Sequence, residues 1–308
     1  MKQKIIKVGF CVAYDWELLR TSIPRVYDHA DVICLSIDKS RRTWKGEPYE
    51  FDEKSFRDFI SSIDKDGKID LYEDNFSMPE LTAMENDTRQ RQLMANRMGK
   101  GGWHIQVDSD EYFIDFKRTV DHLKRLNPNP TGTEKPFNVC CFVIPLIKKT
   151  EQGYLIVDFK DQMPETMCFA TTKPEYLRAR NSGHFNKYIP VFVIHETWAR
   201  PEEQLWKKIN NWGHSSEELE YDKRRQSYYK LWKSVDEYNC QYIADFHPAI
   251  AKTWPAILFV KASTIKELLD SISIPSIPLG KLQWWMKNNR QAARIRWYSI
   301  KIWRRFLQ

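Results

Sequence analysis

An α/β protein with a mostly parallel sheet flanked by helices is what the sequence predicts, on three observations. Residues 4–14 (KIIKVGFCVAY) and 31–38 (DVICLSID) are continuous apolar runs on either side of a polar-apolar stretch at 16–28, giving strand, helix, strand. A strand without alternation is covered on both faces, as parallel strands are by their crossover helices. Residues 103–113 (WHIQVDSDEYF) make a further buried strand that stops at carboxylates. Residues 137–170 then alternate apolar stretches with turn residues, as an antiparallel or mixed extension of the sheet does.

The remaining elements follow in order. Phe56, Phe59, Ile60 and Ile63 recur at helical spacing over 52–64, and residues 69–76 (IDLYEDNF) read as a short strand running into a loop. Residues 82–99 predict an amphipathic helix stopped by Gly99, Gly101 and Gly102. YIPVFVIH at 188–195 is another strand, and from Pro201 the pattern changes to helices rich in Trp and Tyr. The expected organisation is a catalytic α/β domain over 1–200, a helical extension packed on it over 201–280, and a basic amphipathic tail over 281–308. The Pro-rich ISIPSIPLG at 272–280 marks the second boundary.

Composition narrows the function classes. With 42% hydrophobic and 14% aromatic residues in 308, the chain has enough to bury a core, so global disorder is excluded. No apolar run approaches the roughly 20 residues of a membrane span, and Asp15 and Glu17 come too early for a signal peptide. The six cysteines show no C-x-x-C or zinc spacing, which predicts reduced core thiols and a cytoplasmic location. The net charge of +7 sits in the tail: residues 281–308 carry eight cations and no acid, while 1–280 hold 40 basic and 41 acidic residues. A nucleic-acid-binding body would want basic residues throughout, and this one is neutral.

Asp108-Ser109-Asp110-Glu111 is the strongest local signal. Ligand sites of open α/β sheets gather at the carboxyl ends of strands, and two carboxylates two residues apart there suit a hard divalent ion that neutralises a diphosphate. By contrast, DKDGKID at 64–70 has its glycine too early for a calcium loop, and GKGG at 99–102 lacks the frame of a phosphate loop.

In order and spacing, the sequence resembles the GT-A glycosyltransferases, specifically family-2-like enzymes that use nucleotide-diphospho-sugars. The first strand ends at Tyr14-Asp15 and the second at Ile37-Asp38-Lys39-Ser40; Arg91-Gln92 lies on the helix before the strand that ends in the D-x-D. Gly183-His184 and VFVIHETWARPEEQLWKK continue the likeness, which covers roughly residues 5–210. Gln92 stands where the family's R-N-x-(G/A) pattern has Asn.

The resemblance implies roles residue by residue. Tyr14, Asp15, Asp38, Arg91, Asp108 and Lys207 would contact the nucleotide donor, with Asp38 and Asp15 accepting hydrogen bonds from base and ribose. Asp108 and Asp110 would hold Mn²⁺ or Mg²⁺, and His195 would complete the site and favour Mn²⁺. Arg200 or Lys207 would stabilise the departing diphosphate, and Glu165 or His184 would take the acceptor's proton. The acceptor implied is a glycan or a lipid-linked glycan.

The tail fits a lipid-linked acceptor. On a helical wheel Lys287, Arg290, Arg294, Lys301 and Arg305 share one sector, opposite Leu282, Trp285, Ile300, Trp303 and Leu307. That pattern predicts an interfacial helix on the anionic inner face of a membrane, making the protein peripheral, with no nucleic-acid partner; the alternative is a terminal helix docking its aromatic face on the body. A phosphoryl-transfer enzyme using the same D-x-D is the rival within enzymes. Haloacid-dehalogenase-like phosphatases, however, carry that motif after their first strand.

Overall fold

The structure is a computed structural model and describes residues 5–211, 219–242 and 256–295. In chain order its strands and helices are β1 (Ile6–Val12), α1 (Leu19–Tyr27), β2 (Val32–Asp38), α2 (Glu53–Ile63), β3 (Ile69–Asp74), α3 (Ala83–Arg97), β4 (Trp103–Asp108), β5 (Glu111–Phe113) and α4 (Phe116–Leu126). There follow β6 (Phe137–Lys149), β7 (Gly153–Asp158), β8 (Glu165–Thr171), β9 (Phe185–His195), α5 (Glu202–Asn211), α6 (Leu219–Ser234), β10 (Ala256–Lys261), α7 (Ile265–Ser271) and α8 (Lys281–Asn288). The protein is α/β, as expected, and the strands predicted in its first two thirds all form.

Strands β3, β2, β1 and β4 lie side by side in that order, all parallel. Beyond β4 the sheet turns mixed, through antiparallel β8, β6, β7 and β10. β9 runs parallel to β6 and antiparallel to β5. Every residue of β1 and β2 is buried, so both faces are covered. Ile6, Val8, Phe10 and Val12 point to one face, where α1, α2 and α4 pack; Cys11 and Cys34 point to the other, against Met94 of α3 and Met98 just past its end. Gly9 permits that close approach, because a Cβ there would lie 2.8 Å from Met94 Sδ.

A capping box starts α3: Thr82 Oγ1 accepts from the Glu85 N–H at 3.3 Å and the Glu85 carboxylate accepts from the Thr82 N–H at 2.8 Å. With its start fixed, the helix turns Asp87, Gln90 and Arg91 inward at the carboxyl ends of the parallel strands.

Two expectations need correction. The 201–280 segment is not helical throughout: β10 pairs antiparallel with β7 from Ala256↔Asp158 to Lys261↔Gly153. It also shares a core with the sheet, since the buried Trp232 indole donates to the Ile147 and Trp198 carbonyls at 2.8 and 3.0 Å. The tail, for its part, is not one continuous helix. Asn289 leaves helical geometry at φ −97° and ψ 120°, and its side chain accepts from the Gln291 and Ala292 N–H groups, restarting a second turn. Two of its cations face the body: Lys287 lies 4.0 Å from the Tyr188 ring centroid, and Arg290 stacks on Phe185 and donates to the Pro136 carbonyl at 2.6 Å. Residues 296–308, with Lys301, Trp303 and Arg305, lie outside the described residues.

Candidate functional site

At the carboxyl ends of β1, β2 and β4 lies a cavity of about 350 Å³. Its wall brings together Tyr14, Asp15, Asp38, Arg91, Asp108, Asp110 and His195. The parallel half explains why. Consecutive strands that share a direction deliver their end loops to one edge of the sheet, and β9, antiparallel to β5, brings His195 opposite Glu111 beside them.

The two D-x-D carboxylates enter different networks. Asp108 Oδ1 accepts from Arg91 Nη2 at 2.7 Å and Oδ2 from Arg180 Nη2 at 2.6 Å. Arg91 also donates to buried Asp87 at 2.6 Å, while Arg180 reaches both oxygens of buried Glu111 at 2.8 Å. Glu111 in turn accepts the Asp108 N–H at 3.0 Å. Burial opposes the charge on Asp108, but the Arg180 and Arg91 guanidiniums outweigh it and hold the carboxyl at about 2.

Asp110 faces a second set. Its Oδ2 accepts from Arg200 Nη2 at 2.6 Å and from Lys208 Nζ, and His195 Nε2 stands 3.5 Å away. Arg200 also bonds Asp15 Oδ2 at 2.9 Å, and Asp15 Oδ1 accepts from Ser109 Oγ at 3.2 Å. Burial again opposes ionisation, and Lys208, His195 and Arg200 together hold Asp110 well below the usual carboxylate range.

Metal fit can be judged from these donors. Asp108 does not fit, because both of its oxygens are tied to guanidiniums. Asp110 and His195 do: a carboxylate and an imidazole 3.5 Å apart on the cavity wall can share one ion. Mg²⁺ and similar ions are commonly held by one or two protein donors with substrate phosphates and water completing the shell. No group of three His, Cys, Asp or Glu side chains able to hold a metal occurs among the described residues.

Other expected site residues are placed differently. Asp38 lines the cavity, but Oδ1 accepts from the Ser40 and Arg42 N–H groups at 3.0 and 3.2 Å, and Oδ2 from Phe76 and Ser77 at 2.8 and 2.9 Å. A carboxylate has roughly four acceptor sites, so Asp38 is spent on ordering the loops after β2 and β3 and has none left for base or ribose. Lys207 stacks 4.7 Å from the Tyr14 ring centroid; its neighbour Lys208 is the lysine that reaches Asp110.

Neither expected base lines the cavity. Glu165 is carried away because β8 pairs with β4 for only two residues and then follows β6, where Glu165 sits opposite Val143. His184 lies at the opposite end of β9 from His195, about 30 Å along the strand. It borders a separate cavity with Pro136, Phe185, Arg290 and Arg294.

The sequence reading missed Arg180, Lys208 and Trp44. Trp44 lines the cavity with its indole N–H held by Gln90 Oε1 at 2.6 Å. Lys208 did have a signal, since it follows the fully buried Leu205 by three residues and so shares its helix face, whereas Lys207 does not. Arg180 comes from an irregular loop and had none. No family model matches the chain, and no curated protein matches it either.

Proposed function

We propose that the protein is a GT-A, family-2-like glycosyltransferase that moves a sugar from a nucleotide-diphospho-sugar to a glycan or lipid-linked glycan. One observation carries this reading: seven residues chosen from the sequence for donor and metal roles line a single cavity at the carboxyl ends of parallel strands. Trp44, fixed through Gln90, and Tyr14 offer aromatic faces to a base.

The reaction is a displacement at the anomeric carbon. The acceptor oxygen bonds that carbon as its bond to the diphosphate breaks; the hydroxyl proton passes to a base, and the electron pair leaves with the nucleoside diphosphate. Negative charge grows on the leaving group, and Lys208 on the cavity wall meets it, beside Arg200, which is fixed beforehand. Asp110 and His195 would hold Mn²⁺ or Mg²⁺, which when bound neutralises diphosphate charge. Asp108, with Arg91, Arg180 and Glu111, keeps the turn between β4 and β5 in shape so that Asp110 stays aimed at the cavity.

The tail supports a peripheral place on an anionic membrane surface. Leu282, Trp285 and Met286 are exposed in the first tail helix at helical spacing. No helix of the described residues is long and apolar enough to cross a membrane. The deciding test is incubation with a panel of nucleotide-sugars and Mn²⁺, reading nucleoside-diphosphate release and, by calorimetry, nucleoside-diphosphate binding. Binding of at least one diphosphate is expected; a cavity that binds none overturns the proposal.

A further inference from the structure

Three donors crowd one atom, Asp110 Oδ2, and they are held very differently. Arg200 is fixed from three sides: Nη2 to Asp110 at 2.6 Å, Nη1 to Asp15 at 2.9 Å, and Nε to the Glu196 carbonyl at 3.3 Å, with its side chain 1% exposed. His195 is fixed by its place at the end of β9. Lys208 differs from both. Among the described residues Asp110 is its one hydrogen-bond partner, it lines the cavity, and its ammonium ends a flexible four-carbon stem.

A divalent ion shared by Asp110 and His195 would sit on Oδ2, the carboxylate oxygen that faces His195 Nε2 at 3.5 Å and that Lys208 also holds. A doubly charged ion added to an oxygen that already holds Arg200 and Lys208 would meet strong repulsion, so one cation must leave, and of the three donors Lys208 is the one free to swing. Its natural new partner is an anion entering the cavity with the ion, since an ammonium is a good point-charge ligand for phosphate.

We propose that Lys208 is the resident counter-cation of Asp110, excluding a free divalent ion from the empty site and transferring to the diphosphate when ion and diphosphate arrive together. The site then takes the two as a pair and discriminates against the metal alone. This inference rests on the reading of the cavity as a nucleoside-diphosphate site, and it assigns Lys208 a loading role that the reaction itself does not require.

The test uses full-length protein in its wild-type form and as Lys208→Met and Lys208→Gln, with folding checked by thermal melting. Mn²⁺ binding is measured by electron paramagnetic resonance of the free ion, first with MnCl₂ alone and then with nucleoside diphosphates. Loss of the competing ammonium should tighten Mn²⁺ alone by about tenfold. Loss of the phosphate contact should weaken the diphosphate, measured with Mn²⁺ present, by about tenfold. These opposite signs are the signature, because a merely structural lysine would weaken both. Unchanged or weaker Mn²⁺ binding in both variants overturns the proposal, as does Mn²⁺ binding to none of the three proteins. If no diphosphate binds to any of them, the glycosyltransferase reading fails and the pairing claim falls with it; tighter Mn²⁺ in the variants would still uphold the counter-cation.

Discussion

Asp108 and Asp110 are two residues apart and chemically identical, yet they belong to different parts of the machine. Asp108 is closed in by Arg91 and Arg180, which also pair with Asp87 and Glu111 respectively. Asp110 shares its oxygen with a movable lysine and a half-buried histidine on the cavity wall. The motif thus combines a braced carboxylate with one that lines the cavity beside a movable cation. Spacing in sequence reveals that both exist, and only the neighbours reveal which is which.

Stability against activity is the sharpest way to break this contrast. Asp108→Ala leaves buried Arg91 and half-buried Arg180 short of a partner, and such a loss costs about 3–5 kcal/mol. Asp110→Asn should cost much less, because Lys208 can turn into the cavity and Arg200 keeps Asp15. Urea unfolding measures the first difference. Transfer assays measure the second, where Asp110→Asn should abolish turnover in a folded protein. Equal destabilisation by the two substitutions would erase the distinction.

Acid sharpens the comparison from the other end of β4. His104 is fully buried, and burial, helped by nearby Lys7, pushes it down to about 4 from 6.5. The unfolded chain therefore takes up a proton that the native state refuses as pH falls from 6.5 to 4, so stability drops by up to about 1.4 kcal/mol per pH unit in that window. Asp108 has the opposite shift; its contribution is present above 3.8 and is lost only as pH falls toward about 2. Equilibrium unfolding of wild type and His104→Gln across pH 7 to 4 checks this. The variant should lose most of the dependence, whereas an unchanged slope would move the acid sensitivity elsewhere.

The smallest effect concerns another pair of neighbours. Trp284 packs against Phe142 with ring centroids 6.2 Å apart, while Trp285 is 57% exposed. Trp284→Ser should lower stability by about 1–2 kcal/mol. Trp285→Ser should stay within about 0.5 kcal/mol of wild type, as surface substitutions do, but reduce co-sedimentation with anionic vesicles. Vesicle binding that survives Trp285→Ser undiminished would remove the exposed ridge from the membrane contact.

Much of the fold was legible because a parallel sheet writes itself in the sequence as continuous apolar runs. β10 escaped because it is an edge strand with one side open; Leu258 is half exposed, and AILFVK follows a region dominated by helical signals. Within the site, residues at strand ends could be found by position. The cations were harder to find: Arg180 sits in a loop with no signal, and Lys208, though its spacing from Leu205 turns it inward, has nothing local that ties it to a carboxylate 98 residues earlier. Asp38 illustrates the converse: its place at a strand end was right, while its hydrogen bonds depend on loops whose folding the sequence does not spell out.

The long reach of these ion pairs also sets an order on the ribosome. Asp15, Asp108 and Asp110 emerge well before Arg180, Arg200 and Lys208; Lys208 trails Asp110 by 98 residues. At about 5–20 residues per second, that interval lasts roughly 5–20 s. For most of it, a nascent chain that has already delivered β1 to β4 carries Asp15 and Asp110 at the sheet's edge before Arg200 and Lys208 are synthesised, while Asp108 has Arg91 alone. The parallel half is therefore a poor candidate for an independent folding unit, and its closure waits for the arrival of α5.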